Sequence, residues 1–254
     1  MNLKQKLDQH YKAFDRSTIS PDPLQFLHLF SDKKEIELAG FISSVFAYGN
    51  VKQIINTLNR LMAAGGNKPY EFIINSSPAE IKKKLTGIKH RFYSEEDVQK
   101  FFITLSSLYK KEETLENIFM RFYESDEENL KSGIQSFSEY FLSKINTTSP
   151  GLRFMLPLPE KGSACKRMNL FLRWMVRKDE LDFGIWDKIP ASKLVIPVDT
   201  HVARVCKQLK LTTQKNANWK MAEEITANLK KFDPEDPVKY DFAICHIGMR
   251  KLDF

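Results

Sequence analysis

Glycine is scarce in this chain, with 10 in 254 residues. Turn-rich sheet proteins spend glycine at tight corners, so its scarcity beside long periodic apolar segments favours helices. Cysteine is scarcer still. Cys165, Cys206 and Cys245 are widely spaced and form no CxxC pair. That spacing excludes a four-cysteine zinc or iron–sulfur site and leaves no disulfide framework. Cys206 and Cys245 read as buried thiols, because free cysteine packs as a small hydrophobe. No apolar run reaches membrane-spanning length. Met1-Asn2-Leu3-Lys4-Gln5-Lys6 opens a polar amphipathic segment without the apolar core of a signal peptide. The chain also lacks internal repeats and low-complexity tracts. A cytoplasmic protein with no membrane partner is the expectation.

What is present is a large apolar fraction, 42%, with 19 phenylalanines, enough for a sizeable core. The formal net charge is +7 and is concentrated. Between Gly151 and Lys210 twelve Lys/Arg face six Asp/Glu, and such an excess suits a phosphate backbone.

The apolar residues recur at helical spacing along most of the chain. Leu3, Leu7, Tyr11 and Phe14 mark a first helix. Asp32 and Glu35 form a capping-box pattern ahead of Ile36 to Phe46. A second helix from Asn50 to Met62 follows Gly49, giving an antiparallel pair joined across Tyr48-Gly49-Asn50. Ser77-Pro78, Ser94 and Thr114 start further helices. Stripes such as Phe101, Phe102 and Leu105 follow the 3.6 period and predict core packing. Thr147-Thr148-Ser149-Pro150-Gly151 reads as the main break. Leu156-Pro157-Leu158-Pro159 cannot be helix interior. Ser163 then offers an N-cap for an almost wholly apolar helix to Val176, expected near the centre of the fold. Asp199 caps the next helix, Asn218 another, and Asp236-Pro237 starts the last. The fold class is all-α, a single domain over 1–254 with roughly nine to twelve helices.

Two helix starts carry possible chemistry. Lys161-Gly162-Ser163-Ala164-Cys165-Lys166-Arg167 places lysines before a buried helix. Ile196-Pro197-Val198-Asp199-Thr200-His201-Val202-Ala203-Arg204-Val205 places a carboxylate where a proline-stiffened loop enters a helix. If they meet, they form an amine nucleophile with its electrostatic partner.

These residues resemble the helix-hairpin-helix DNA glycosylase superfamily, of which endonuclease III is the best-known member. The Asp199-Thr200-His201-Val202-Ala203-Arg204-Val205 run is similar to its Val-Asp-Thr-His motif. Lys166 to Leu172 is similar to the segment carrying its nucleophilic lysine, and Phe41 to Met62 to its first helix pair. The whole chain resembles a bacterial family placed within this superfamily. The resemblance implies a two-lobed helical architecture with a cleft between the lobes, the motif-bearing segment falling at about 151–210. It departs from the pattern in two places. The glycine-rich hairpin is replaced by Leu156 to Ser163 with one glycine. The lysine–aspartate gap is long, as in archaeal 8-oxoguanine glycosylases. The iron–sulfur cysteines of endonuclease III are absent, so no cofactor is expected.

The resemblance further implies a monomeric glycosylase/AP lyase acting on damaged double-stranded DNA and removing an oxidised, 8-oxoguanine-like base. The target nucleotide is flipped from the duplex. Lys166 attacks the sugar, its proton loss favoured by burial and by neighbouring Arg167 or Lys161. Asp199 stabilises the cationic sugar. Lys161, Gly162, Ser163, Arg167, His201 and Arg204 are candidate DNA contacts, with His201 also a packing residue. Tyr48 and Asn50 are candidates for entering the duplex, against ordinary turn chemistry. Trp174 and Trp186 are weighed as base-stacking groups, Trp174 fitting the core better. A divergent, non-catalytic nucleic-acid-binding protein is the alternative, followed by a protein-interaction module with a basic face.

Overall fold

The computed structural model describes residues 1–250, and among them every element longer than an isolated bridge is helical. None of these helices is long and apolar enough to cross a membrane. The chain gathers into two compact units. The motif unit comprises residues 1–19, 125–131 and 158 onward; the aromatic unit comprises 20–124 and 132–157.

Most helices begin where a short polar side chain accepts the first uncommitted backbone N–H groups. α1 (Leu3–Lys12), capped by Asn2, belongs to the motif unit. The aromatic unit follows with α2 (Lys33–Phe46) on Asp32, α3 (Val51–Ala64) on Asn50, and α4 (Pro69–Asn75). Next come α5 (Pro78–Lys84) on Ser77, α6 (Glu95–Glu112) on Ser94 and α7 (Leu115–Met120) on Thr114. α8 (Lys131–Ser143) and α9 (Pro150–Met155), the latter on Ser149, complete it. The motif unit resumes with α10 (Lys166–Val176), α11 (Thr200–Gln208) on Asp199, α12 (Trp219–Lys230) on Asn218, and α13 (Asp241–Arg250).

Thirteen helices among the described residues exceed the expected count because two short ones carry no long periodicity. α4 and α9 each start at a proline in the first turn, where the missing N–H costs nothing. The Thr147–Gly151 break is therefore a helix start. The Asp32 capping box is half-formed: Glu35 instead accepts the Tyr70 N–H at 2.8 Å and ties α4 to α2. The last helix starts at Asp241 and not at Asp236, whose carboxylate is held by Arg177 at 2.7 Å.

In the aromatic unit every residue of α2 from Ile36 to Phe46 is buried. Phe41 meets Phe101, Phe137 and Phe141 with ring centroids 5.7, 5.9 and 6.0 Å apart. Each buried ring contributes about 1.5–3 kcal/mol of transfer energy. Buried Glu37 is the polar exception on that stretch with a structural task. It accepts the Tyr109 hydroxyl at 2.6 Å and the N–H groups of Leu115 and Glu116, capping α7.

The motif unit is centred on α10, with Met168, Phe171, Leu172, Trp174 and Met175 fully buried. Arg173 of this helix and Arg177, which caps its end, are buried too. Arg173 binds Asp182 and Asp241, and Arg177 binds Asp179, Asp182 and Asp236. The excursion after α10 folds back on it, with Phe183 and Trp186 donating N–H groups to the Trp174 and Met175 carbonyls. Trp174 and Trp186 are both buried, Trp186 edge-on to Phe171. Neither presents a face to a base.

Candidate catalytic site

The site lies wholly in the motif unit and is built from the starts of α10 and α11 and the face of α13. The chain approaches α10 through a short 3₁₀ turn, Pro159–Lys161, and turns at Gly162 with φ +80°. Ser163 does not cap α10. Its hydroxyl accepts the Cys165 N–H at 3.1 Å, and Cys165, in the left-handed region at φ +45°, occupies the cap position. A non-glycine residue there is uncommon and must be held by its surroundings. Buried Asn169 does so from one turn ahead, donating its side-chain amide to the Ala164 carbonyl at 3.1 Å. Lys166 is thereby fixed as the first residue of the helix.

Asp199 is set by a loop whose apolar residues, Ile196 and Val198, are buried, and by the Ile196 N–H bonded to Thr226 on α12 at 3.0 Å. Its Oδ1 accepts the N–H groups of His201 and Val202 at 2.8 and 2.9 Å. Its Oδ2 faces the Lys166 ammonium at 3.6 Å, an ion-pair distance longer than a hydrogen bond. The two side chains are 29% and 20% exposed, open to a ligand yet partly withdrawn from water. One carboxylate thus divides its oxygens between a helix cap and an amine.

Cys245 of α13 completes the constellation, its Sγ 3.9 Å from Asp199 Oδ2. It is half-buried and sits beside the carboxylate, whereas Cys206 is buried as expected. Burial pushes the Cys165 thiol up to about 12, so the cysteine next to Lys166 stays protonated. α13 reaches this position through two devices. Asp241, one turn before Cys245, pairs with Arg173 of α10. Gly248, one turn after Cys245, lets α13 press on α11: a Cβ there would stand 3.0 Å from His201 Cβ and 3.3 Å from its carbonyl. His201 is a packing residue at this crossing.

The other expected contacts divide. Lys161 and Gly162 are exposed and Ser163 half-buried at the α10 approach, and Arg204 is exposed while bonding the Gly248 carbonyl at 2.8 Å. Arg167 is 6% exposed, which removes it from the surface a phosphate meets. Tyr48 and Asn50 belong to the aromatic unit. Sequence reasoning missed Cys245, which carries no motif, and the burial of Arg173, which counted as basic surface.

A groove of about 350 Å³ in the motif unit is lined by Glu128, Asn129, Glu223, Glu224 and Lys230 among others, and by neither Lys166 nor Asp199. Three carboxylates to one ammonium make it a poor seat for phosphate. Among the described residues no three His, Cys, Asp or Glu side chains converge to hold a metal.

No curated protein and no solved structure matches the chain. A family model described as protein of unknown function (DUF2400) matches residues 22–250, a span that contains the whole lysine–aspartate–cysteine constellation, and the chain belongs to that family.

Proposed function

We propose that the protein is a DNA glycosylase with AP lyase activity that removes an oxidised base through a Schiff base on Lys166. The observation that carries this reading is the Lys166 Nζ–Asp199 Oδ2 approach of 3.6 Å between two helix starts that lie far apart in sequence. In the reaction, Asp199 takes a proton from the Lys166 ammonium. The amine attacks C1′ as the N-glycosidic bond breaks, and the base leaves with the bonding pair and takes the proton from Asp199, which returns to the carboxylate. The sugar ring then opens to a Schiff base. Loss of the C2′ proton expels the 3′ phosphate, and water releases Lys166. Asp199, held by two N–H groups, stabilises the positive charge that builds on the sugar without having to reorient.

Borohydride trapping on duplex DNA carrying 8-oxoguanine or an abasic site tests the reading. Wild type should form a covalent adduct and Lys166→Gln none. Asp199→Asn keeps a cap acceptor but loses the charge, and trapping should slow by about 10²–10³-fold. An adduct of unchanged yield with Lys166→Gln would refute the assignment. A second reading, a non-catalytic nucleic-acid-binding protein, is favoured by the single glycine between Leu156 and Cys165, since a glycine-poor turn offers fewer backbone N–H groups to phosphate. Salt-sensitive duplex binding without any trapped adduct would select it.

A further inference from the structure

The aromatic unit carries a second constellation. Phe92 is 67% exposed and Phe154 41%, among the few large apolar side chains open to solvent. They lie together, ring centroids 5.9 Å apart and edge to face. Tyr48 packs beneath both, nearly parallel to Phe92 at 6.2 Å and edge-on to Phe154 at 5.0 Å. The Arg91 guanidinium lies over the Tyr48 and Phe92 rings at 5.2 and 5.7 Å. Arg91 forms no ion pair among the described residues.

The arrangement is rigidly made. His90 and Tyr93 exchange backbone hydrogen bonds of 3.0 and 2.8 Å, so Arg91 and Phe92 form the two-residue tip of a tight turn. Arg91 accepts a left-handed φ of +52° there. The Phe92 N–H donates to the Tyr48 hydroxyl at 2.8 Å, which donates in turn to the His90 carbonyl at 3.3 Å. Gly49 makes room: a Cβ would fall 2.5 Å from Arg91 Cδ. An exposed phenylalanine is thus presented by a braced turn, where a loose loop would let it fold inward.

Charge identifies the occupant. The three segments that build the patch, 47–52, 88–93 and 150–157, carry Lys52, Lys89, Arg91 and Arg153 and no Asp or Glu. Asp97, which packs against Gly151 of the third segment, is buried; exposed flat rings beside a guanidinium, on segments that carry only cations, match the π-face and phosphate of an unstacked nucleotide. We propose that Phe92 and Phe154, with Arg91 between ring and phosphate, form a stacking site for an unpaired base of a nucleic-acid strand. This site belongs to the aromatic unit and Lys166 to the motif unit, and it holds whether or not the lyase reading does.

The test uses the full chain with a labelled single-stranded oligonucleotide of mixed, undamaged sequence, read by anisotropy across a salt series. Phe92→Ala should raise Kd about tenfold with the salt slope unchanged. Arg91→Ala should weaken binding and reduce the slope by about one. Phe92→Trp should bind like wild type. Trp174, Trp186 and Trp219 are all buried, so its red-edge emission reports the new residue alone and should be quenched as the strand saturates. Phe92→Ala within twofold of wild type, or unquenched Phe92→Trp at saturation, overturns the proposal, as does a patch that captures only protein. Quenching without borohydride trapping leaves the stacking site standing and removes only the lyase; trapping without quenching does the reverse.

Discussion

α2 and α10 are each buried along most of their length, yet opposite chemistry holds them. α2 sits among phenylalanines, with Glu37 spent on capping a neighbouring helix. α10 brings Arg173 and Arg177 into the interior and collects Asp179, Asp182, Asp236 and Asp241 around them. The first kind of core is non-directional and tolerates adjustment. The second is directional: a guanidinium fixes where each carboxylate must stand, and one of those carboxylates, Asp241, opens the helix that carries Cys245. The aromatic core builds a scaffold, while the ionic core sets an alignment, bringing α13 to α10 through Arg173 and Asp241.

The contrast is broken most sharply at Arg173. Arg173→Met should cost about 3–5 kcal/mol in chemical denaturation, because it strands buried carboxylates. Adding Asp241→Asn should return part of that loss. Phe41→Ala should cost a similar amount, about 3–5 kcal/mol, but no second neutralising change should repair it. If Asp241→Asn worsens Arg173→Met additively, the ionic description of this core is wrong.

A smaller effect is expected where α11 and α13 touch. Gly248→Ala should destabilise by about 1–3 kcal/mol, since backbone and a Cβ stand in the way. It should also lower the trapping rate on abasic-site DNA by displacing the start of α11, which carries Asp199. A variant as stable and as active as wild type would show that the crossing relaxes.

The smallest effect is one of pH. Two arginines serve four aspartates, so negative charge is in surplus, and Asp241 Oδ1 is buried without a hydrogen-bond partner. Burial pushes the Asp241 carboxyl up to about 6 from its ordinary 3.8, against the pull of Arg173. Between those values the folded chain keeps a proton that the unfolded chain has released. This group's contribution is therefore full below about pH 4 and falls as pH rises towards 6. At Asp179 burial raises the carboxyl, but Arg177 and backbone N–H groups hold it below its ordinary value. Its contribution is present above 3.8 and is lost on acidification below it. Urea midpoints between pH 4 and 6 should fall less for Asp241→Asn than for wild type. Parallel curves would assign the slope elsewhere.

Much of this was legible in the chain itself. Short polar caps before apolar periods located α2, α3, α6, α11 and α12, and phenylalanines at helical spacing went inside. The Asp199 cap was readable because its two N–H partners are local. The rest was non-local. Counting twelve bases against six acids suggested a basic face, but Arg167, Arg173 and Arg177 are buried, two of them neutralised by acids from distant segments. Cys245 meets Asp199 only because α13 folds onto α11. Phe92 belongs to no helical stripe, and its exposure follows from a two-residue turn braced by Tyr48, 44 residues away.

The missing side chain at Gly248 has a lasting consequence. The α13 backbone rests against the first turn of α11 there, so the spacing of the two helices that bring acid and thiol together is set by skeleton. Such a span does not adapt to different guests. Selectivity would then have to be written into the walls around this trio, and drift among relatives should spare its dimensions while altering what surrounds them.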